Sequence, residues 1–245
     1  MPAENIDRRI PGAIRFLDAT TGLMIRTRLV VQAPGARFVR NRSGCYVIYS
    51  LAGFETYADA FDAAPVLPAR LMAGRVEDPG RQYLSRRFSM GLPRDASPAN
   101  AANAGSIFRP ADVVLFAAPA GSVLPTWAVI RASVTRAGTS TALSGALIRV
   151  LRASDSALLA RGVTDERGEA LVAVAGVPVT SFGAGAGPVA QNGIDVVVQT
   201  IFDPAALPPP DPDDLDSRPT LPRGITNLHL VAGQSLAAGL TVPLP

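Results

Sequence analysis

The sequence predicts an all-β protein, built as two antiparallel β-sandwich domains with long irregular linkers. Three observations lead there. The 245 residues include 22 prolines and 22 glycines. Proline removes a backbone donor and clashes within a helix, so long helices are disfavoured. Short apolar runs alternate with turn-forming residues along most of the chain, the pattern of strands joined by tight connections. Hydrophobic residues make up 48%, enough to give each of two small domains a core.

Residues 1–8 read as an N-terminal arm and 9–92 as the first domain. Residues 13–17 form the first strand-like run. Asp18-Ala19-Thr20-Thr21-Gly22 follows, residue types that accept turn conformations. Residues 24–32 are expected as a strand with Arg26 and Arg28 on one face. Strands at 37–40 and 45–50 flank Asn41-Arg42-Ser43-Gly44. Phe54, Tyr57 and Phe61 stand at i, i+3 and i+7, which predicts a short helix within 55–62. Phe88, Met90 and Leu92 alternate with Ser89 and Gly91, the period of a strand. Residues 93–109 lack periodicity and read as the interdomain linker.

The second domain is expected over 110–245. Strand-like runs fall at 113–116, 127–134, 146–151, 158–163, 170–174 and 194–202. The last is nearly continuous in apolar residues, as for a strand covered on both faces. Residues 204–223 contain Pro208-Pro209-Pro210-Asp211-Pro212-Asp213-Asp214-Leu215-Asp216 and predict an extended, solvated acidic loop. Strands at 226–231 and 240–245 complete the pattern.

Two segments recur. Gly12-Ala13-Ile14-Arg15-Phe16-Leu17 matches Gly145-Ala146-Leu147-Ile148-Arg149-Val150-Leu151. Arg42-Ser43-Gly44-Cys45-Tyr46-Val47-Ile48 matches Glu166-Arg167-Gly168-Glu169-Ala170-Leu171-Val172. A duplicated domain, with a longer loop around 32–38 in its first copy, is expected.

The second copy resembles carboxypeptidase regulatory-like domains. The resemblance rests on the opening Leu143-Ser144-Gly145-Ala146-Leu147-Ile148-Arg149-Val150 and the turn Thr164-Asp165-Glu166-Arg167-Gly168-Glu169-Ala170-Leu171. It rests also on the closing Val231-Ala232-Gly233-Gln234-Ser235. It spans about residues 125–245, with a weaker match over 9–92. Domains of that family are transthyretin-like (prealbumin-like) sandwiches related to the Cna-B type, so the resemblance implies two such domains. It also implies accessory roles, in enzymes, surface proteins or phage-tail-like particles. Some Cna-B relatives carry a lysine–asparagine isopeptide bond, and this chain has no lysine.

All 23 basic residues are arginine, and the formal charge is +3. Without lysine there is no Schiff-base or P-loop chemistry. Residues 1–110 hold 15 arginines and 9 acids; residues 111–245 hold 8 and 11. Such polarity suits an oriented assembly contact. The single Cys45 allows no intrachain disulfide. The first residues lack the apolar core of a signal peptide, so synthesis in the cytoplasm, with release as part of a particle, is expected. No run is long and apolar enough for a transmembrane helix.

One histidine, His229, and one cysteine, Cys45, are too few for a His-based zinc site. His229 is expected on the exposed face of a strand with Asn227, opposite Leu228 and Leu230. Cys45 is expected as a buried structural thiol, and Gly183-Ala184-Gly185-Ala186-Gly187 as a hairpin tip. Asp211, Asp213, Asp214 and Asp216 lack the glycine and glutamate of an EF-hand loop. Asp165, Glu166 and Glu169 form the nearest acidic cluster, which a turn explains. Phe54, Tyr57, Phe61 and Trp127 are expected in packing rather than in a carbohydrate platform.

The expected function is therefore a non-catalytic structural or adaptor subunit of a larger bacterial assembly, such as a phage-tail-like or contractile injection particle. The alternative is a surface adhesion module that binds glycan or protein. No cofactor, metal or nucleic acid is expected; the partners are other protein subunits. The candidate contact residues are Arg37, Arg40, Arg42, Arg86 and Arg87, from a basic group that also includes Arg81, and Thr226, Leu228 and Leu230.

Overall fold

The structure is a computed structural model that describes residues 9–59, 67–178 and 193–244. Its strands are β1 Gly12–Asp18, β2 Val30–Gln32, β3 Ala36–Arg40, β4 Tyr46–Leu51, β5 Arg70–Glu77, β6 Arg86–Leu92 and β7 Ala111–Leu115. They continue as β8 Ala128–Arg136, β9 Leu147–Arg152, β10 Leu158–Val163, β11 Glu169–Val174, β12 Gly193–Ile201, β13 Arg223–Val231 and β14 Ser235–Val242. The helices α1 Glu55–Asp59 and α2 Pro212–Ser217 are short.

The strands form two sheets of four and two of three: β3-β4-β1-β7 with β2-β5-β6, and β10-β9-β12-β13 with β11-β8-β14. The chain is thus all-β, with a four-on-three sandwich in each half. Two compact units result. One comprises Met1–Leu17, Met24–Glu77 and Arg87–Val114, and the other Asp18–Leu23, Asp78–Arg86 and Leu115–Pro245. Two short pieces of the N-terminal half therefore belong to the second unit, and residues 93–109 belong to the first.

In the first unit, alternation puts Ile14 and Phe16 of β1, Ile48 of β4 and Phe88, Met90 and Leu92 of β6 inside. Phe16 joins the two sheets, meeting Tyr46 edge-on at 5.4 Å and Phe88 at 6.2 Å between ring centroids. A Cβ at Gly74 would stand 2.4 Å from the Phe88 ring, so that position of β5 admits only glycine beneath the ring. Arg94 is buried and donates to the carbonyls of Ser106 and Arg109 at 3.0 and 3.2 Å. Burial pushes its pKa down. These bonds close residues 94–109 into a loop.

Residues 24–32 are not one strand. Met24 makes an isolated bridge to Leu17, and pairing resumes only at β2. The reason is Tyr46, whose buried hydroxyl accepts from Leu29 N at 2.7 Å and donates to Leu29 O at 3.0 Å. The side chain takes the bonds that a neighbouring strand would take. The short helix is present as α1, with Phe54 and Tyr57 buried and edge-on at 5.7 Å. Phe61 lies outside the described residues.

In the second unit, side chains from both sheets make one core, including Ile130, Ile148, Val150, Val172, Val198 and Leu240. Strand β14 pairs with β8 in parallel, whereas β9, β10, β12 and β13 pair antiparallel. In β12, Val196, Val198 and Thr200 are buried while Val197 and Gln199 are partly exposed. One face of that strand, not both, is fully covered.

The internal repeat is a repeated turn. Asn41 N donates to Cys45 O, Gly44 N to Asn41 O, and Cys45 N to Asn41 Oδ1. Asp165, Gly168 and Glu169 make the same three bonds in the same order. Gly44 and Gly168 have φ of +89° and +75°, which glycine adopts without strain. The strands beyond differ. The first turn links β3 and β4 within one sheet; the second links β10 to β11 across two sheets.

Candidate interaction surface

Residues 19–54 contain five arginines and no acid. The structure places Arg37 and Arg40 on β3, Arg42 in the following turn, and Arg26 and Arg28 before β2; all five are exposed. Arg40 Nη2 donates to Arg26 O at 2.6 Å, and Arg26 Nη1 to Ser43 O at 3.3 Å. Backbone carbonyls thus hold two of the guanidinium groups. Among the described residues no ion pair joins any of the five to a carboxylate. Strand β3 ends its sheet. Its register passes from Arg37↔Ser50 to Phe38↔Ile48, so Tyr49 is an extra residue bulged from β4. Val39 and Tyr49 are 50% and 46% exposed.

Arg87 lies elsewhere in the first unit, beside an open groove of about 450 Å³ lined by Gln32, Pro34, Ala73, Gly74 and Arg75. Arg86 is not on the surface. Its side chain is 2% exposed, and it pairs with Asp211 at 2.9 Å and Asp213 at 2.6 Å. Alternation along β6 turns Arg86 inward and Arg87 outward. Arg81 is exposed in a turn, at a φ of +54°.

Those acids come from the stretch expected to be solvated. Residues 203–223 instead form a strap. Asp211 caps α2 by accepting from Asp213 N at 3.2 Å, Pro212 opens the helix, and Leu215 and Leu221 are buried. Arg149 and Arg161 stand directly opposite each other on β9 and β10. Asp216 lies 3.4 and 3.5 Å from them and offsets their repulsion. Arg218 holds Asp203 and Asp214. The Ala205 amide, and then the Arg218 guanidinium, keep the Asp203 carboxyl below its ordinary pKa against the opposing effect of burial. The carboxylates are engaged by arginines. Among the described residues no group of three or more His, Cys, Asp or Glu is placed to hold a metal ion.

His229 is exposed on β13 and its Nδ1 lies 2.8 Å from Asp195, its cross-strand neighbour. Leu230 is buried in the core, and Leu228 packs against it from the same face. The side chains of Thr226, Leu228 and Leu230 therefore face inward, and His229 and Asn227 face out. Cys45 is partly exposed rather than buried. Asp165 accepts from the amides of Arg167 and Glu169, both at 2.9 Å, so this acidic cluster builds a turn. Thr164 beside it donates to Leu143 O at 2.6 Å and accepts from Ala146 N at 2.8 Å. Tyr57 is buried in the first unit and Trp127 half-buried in the second. The glycine run 183–187 lies outside the described residues.

Taken singly, the arginines read as ordinary surface charges. The stronger signal was the absence of any acid across residues 19–54. The strap was signalled by Leu215 and Leu221, two apolar residues within an otherwise polar stretch.

No protein-family profile matches the chain, and no curated protein does. Among solved structures the chain is similar to the Bacillus anthracis TIE protein, at 8% identity and a TM-score of 0.30. The match covers 96% of this chain and 34% of that one. It is also similar to the shaft pilin SpaA of Lactobacillus rhamnosus GG, at 12% identity and a TM-score of 0.26, covering 95% and 98%. The D295N form of that pilin gives 10% and 0.28. The chain spans about a third of the length of the Bacillus protein. The class is defined by the strand topology and the surface: a two-unit β-sandwich protein with an arginine-rich sheet edge. No described helix is long and apolar enough to cross a membrane.

Proposed function

We propose that the chain is a structural subunit that joins other protein subunits in a larger assembly. One observation carries this reading. The strands of the first unit expose Val30 at 41%, Val39 at 50%, Tyr49 at 46% and Leu71 at 69%, with exposed Arg37 and Arg40 on β3, Arg75 on β5 and Arg87 on β6. Apolar side chains among arginines are the composition of protein interfaces, and exposed apolar area on strands is what a partner covers. The first unit holds 13 arginines against 8 acids and the second 10 against 12, a polarity that orients neighbouring subunits. A bacterial phage-tail-like or contractile injection particle is the specific assembly proposed.

The test is co-expression with the products of neighbouring genes, followed by light scattering and negative-stain microscopy. The wild-type chain is expected in large particles, with tubes or sheaths if the particle is tail-like. A Val39→Asp/Leu71→Asp variant with native circular dichroism should stay out of them. A variant that assembles like wild type refutes the reading. The groove beside Arg87 favours a second reading, a surface module that binds glycan or protein. Glycan-array binding lost on Arg87→Ala would select it.

A further inference from the structure

The geometry points to β3 as an acceptor edge for an extended acidic strand of a partner subunit; the inference rests on the assembly role proposed above. Strand β3 pairs with β4 along one side and is the last strand of its sheet. Among the described residues, no backbone bond outside the strand ladders reaches residues 37–40. Such an edge presents a row of amide donors and carbonyl acceptors to an incoming chain. Proteins commonly blunt edges with charge or with a bulge in the edge strand itself. Here the bulged residue, Tyr49, belongs to β4, so β3 itself carries no inserted residue.

The charge at this edge has one sign. Arg37, Arg40 and Arg42 on β3 and its turn are joined by Arg26 through the Arg40–Arg26 carbonyl bond, and none meets a described carboxylate. A second copy presenting its own β3 would place like charges opposite one another, which is unfavourable. An acidic strand is complementary. Arg37 and Val39 point to the same face of the sheet, two residues apart. The partner strand therefore carries an acidic residue opposite Arg37, an apolar one opposite Val39, and further acids toward Arg40 and Arg42. Each exposed ion pair adds little. The backbone ladder supplies the affinity and the arginines select the sign of the partner. A ladder needs peptide amides, which a polyphosphate lacks, so the partner is a polypeptide.

The probe is the seven-residue synthetic peptide Glu-Thr-Glu-Val-Thr-Glu-Thr, which laid antiparallel along residues 36–42 sets Glu opposite Arg37, Arg40 and Arg42 and Val opposite Val39, labelled for fluorescence anisotropy and added to the full chain at low salt. Saturable binding is expected, with slowed amide exchange within residues 36–40. Affinity should fall at least tenfold for an Arg37→Glu/Arg42→Glu variant. Among the described residues neither of those side chains makes a hydrogen bond or ion pair, and circular dichroism checks that the variant is folded. The same peptide N-methylated at alternate amides should bind at least tenfold more weakly, and a Lys-for-Glu peptide should not bind. Equal binding of plain and N-methylated peptides would reduce the surface to non-specific charge and overturn the inference. So would unchanged exchange at 36–40, or equal binding by variant and wild type. A duplex oligonucleotide that outcompetes the peptide would make the site one for nucleic acid and likewise overturn it. Particles that form normally with the arginine variant sink the acceptor edge alone. Peptide binding by a chain that never assembles sinks the assembly role alone.

Discussion

Replacing Arg86 by methionine tests whether the acidic strap is held by a buried charge. The Arg86 side chain is 2% exposed and contacts Asp211 at 2.9 Å and Asp213 at 2.6 Å. Removing one partner of a buried ion pair costs about 3–5 kcal/mol, because the other charge is left uncompensated. Here the cost falls near the lower end. Asp213 is 53% exposed and regains water, while Asp211, at 17%, keeps only part of its hydration. A loss of about 3 kcal/mol follows. With a urea slope of about 2 kcal/mol per molar, the unfolding midpoint falls by about 1.5 M. Trp127 is the single tryptophan and lies in the same unit, so its fluorescence reports the transition. Arg86→Met/Asp211→Asn removes the stranded carboxylate as well and should recover about 1–2 kcal/mol. A single-variant midpoint within about 0.3 M of wild type would show that the strap does not depend on this pair.

Further expectations follow from single contacts in the second unit. Thr164→Val leaves the Ala146 amide and the Leu143 carbonyl unpaired beneath the surface; tryptophan-monitored unfolding should show a loss of about 1–3 kcal/mol. Gly162→Ala drives a Cβ to 2.5 Å from Val172 Cγ2 and should cost about 1–3 kcal/mol. Gly239→Ala, with nothing within 4 Å, should stay within about 0.5 kcal/mol of wild type by calorimetry. The Asp203 carboxyl titrates below its ordinary value in the folded chain, so its contribution is complete above the unfolded value of about 3.9 and is lost as pH falls through the folded value. Asp203→Asn should then be less stable than wild type at pH 6 and lose less on acidification, as read from urea midpoints between pH 6 and 3.

The sequence alone determined much of the local structure. The alternation of Phe88, Met90 and Leu92 located β6, because a strand with one buried face must repeat every second residue. The two Asn/Asp-x-x-Gly turns were legible because their bonds close within five residues. Part of the candidate surface was legible too, since the acid-free block 19–54 holds Arg37, Arg40 and Arg42 together. Strand β5 was missed because Gly74 breaks its apolar alternation, and glycine is there only because the Phe88 ring lies on it.

Tertiary structure decided the rest. It sent one repeated turn into a hairpin within a sheet and the other across two sheets, a choice made by strands far away in the chain. It withdrew Arg86 from an apparent basic patch and paired it with acids 125 and 127 residues distant. It turned an acidic, proline-rich stretch into a strap, because Leu215 and Leu221 found a surface to cover and three aspartates, Asp211, Asp213 and Asp216, met arginines on other elements. Local propensity acts within a few residues, whereas burial and charge pairing are settled only when distant segments meet.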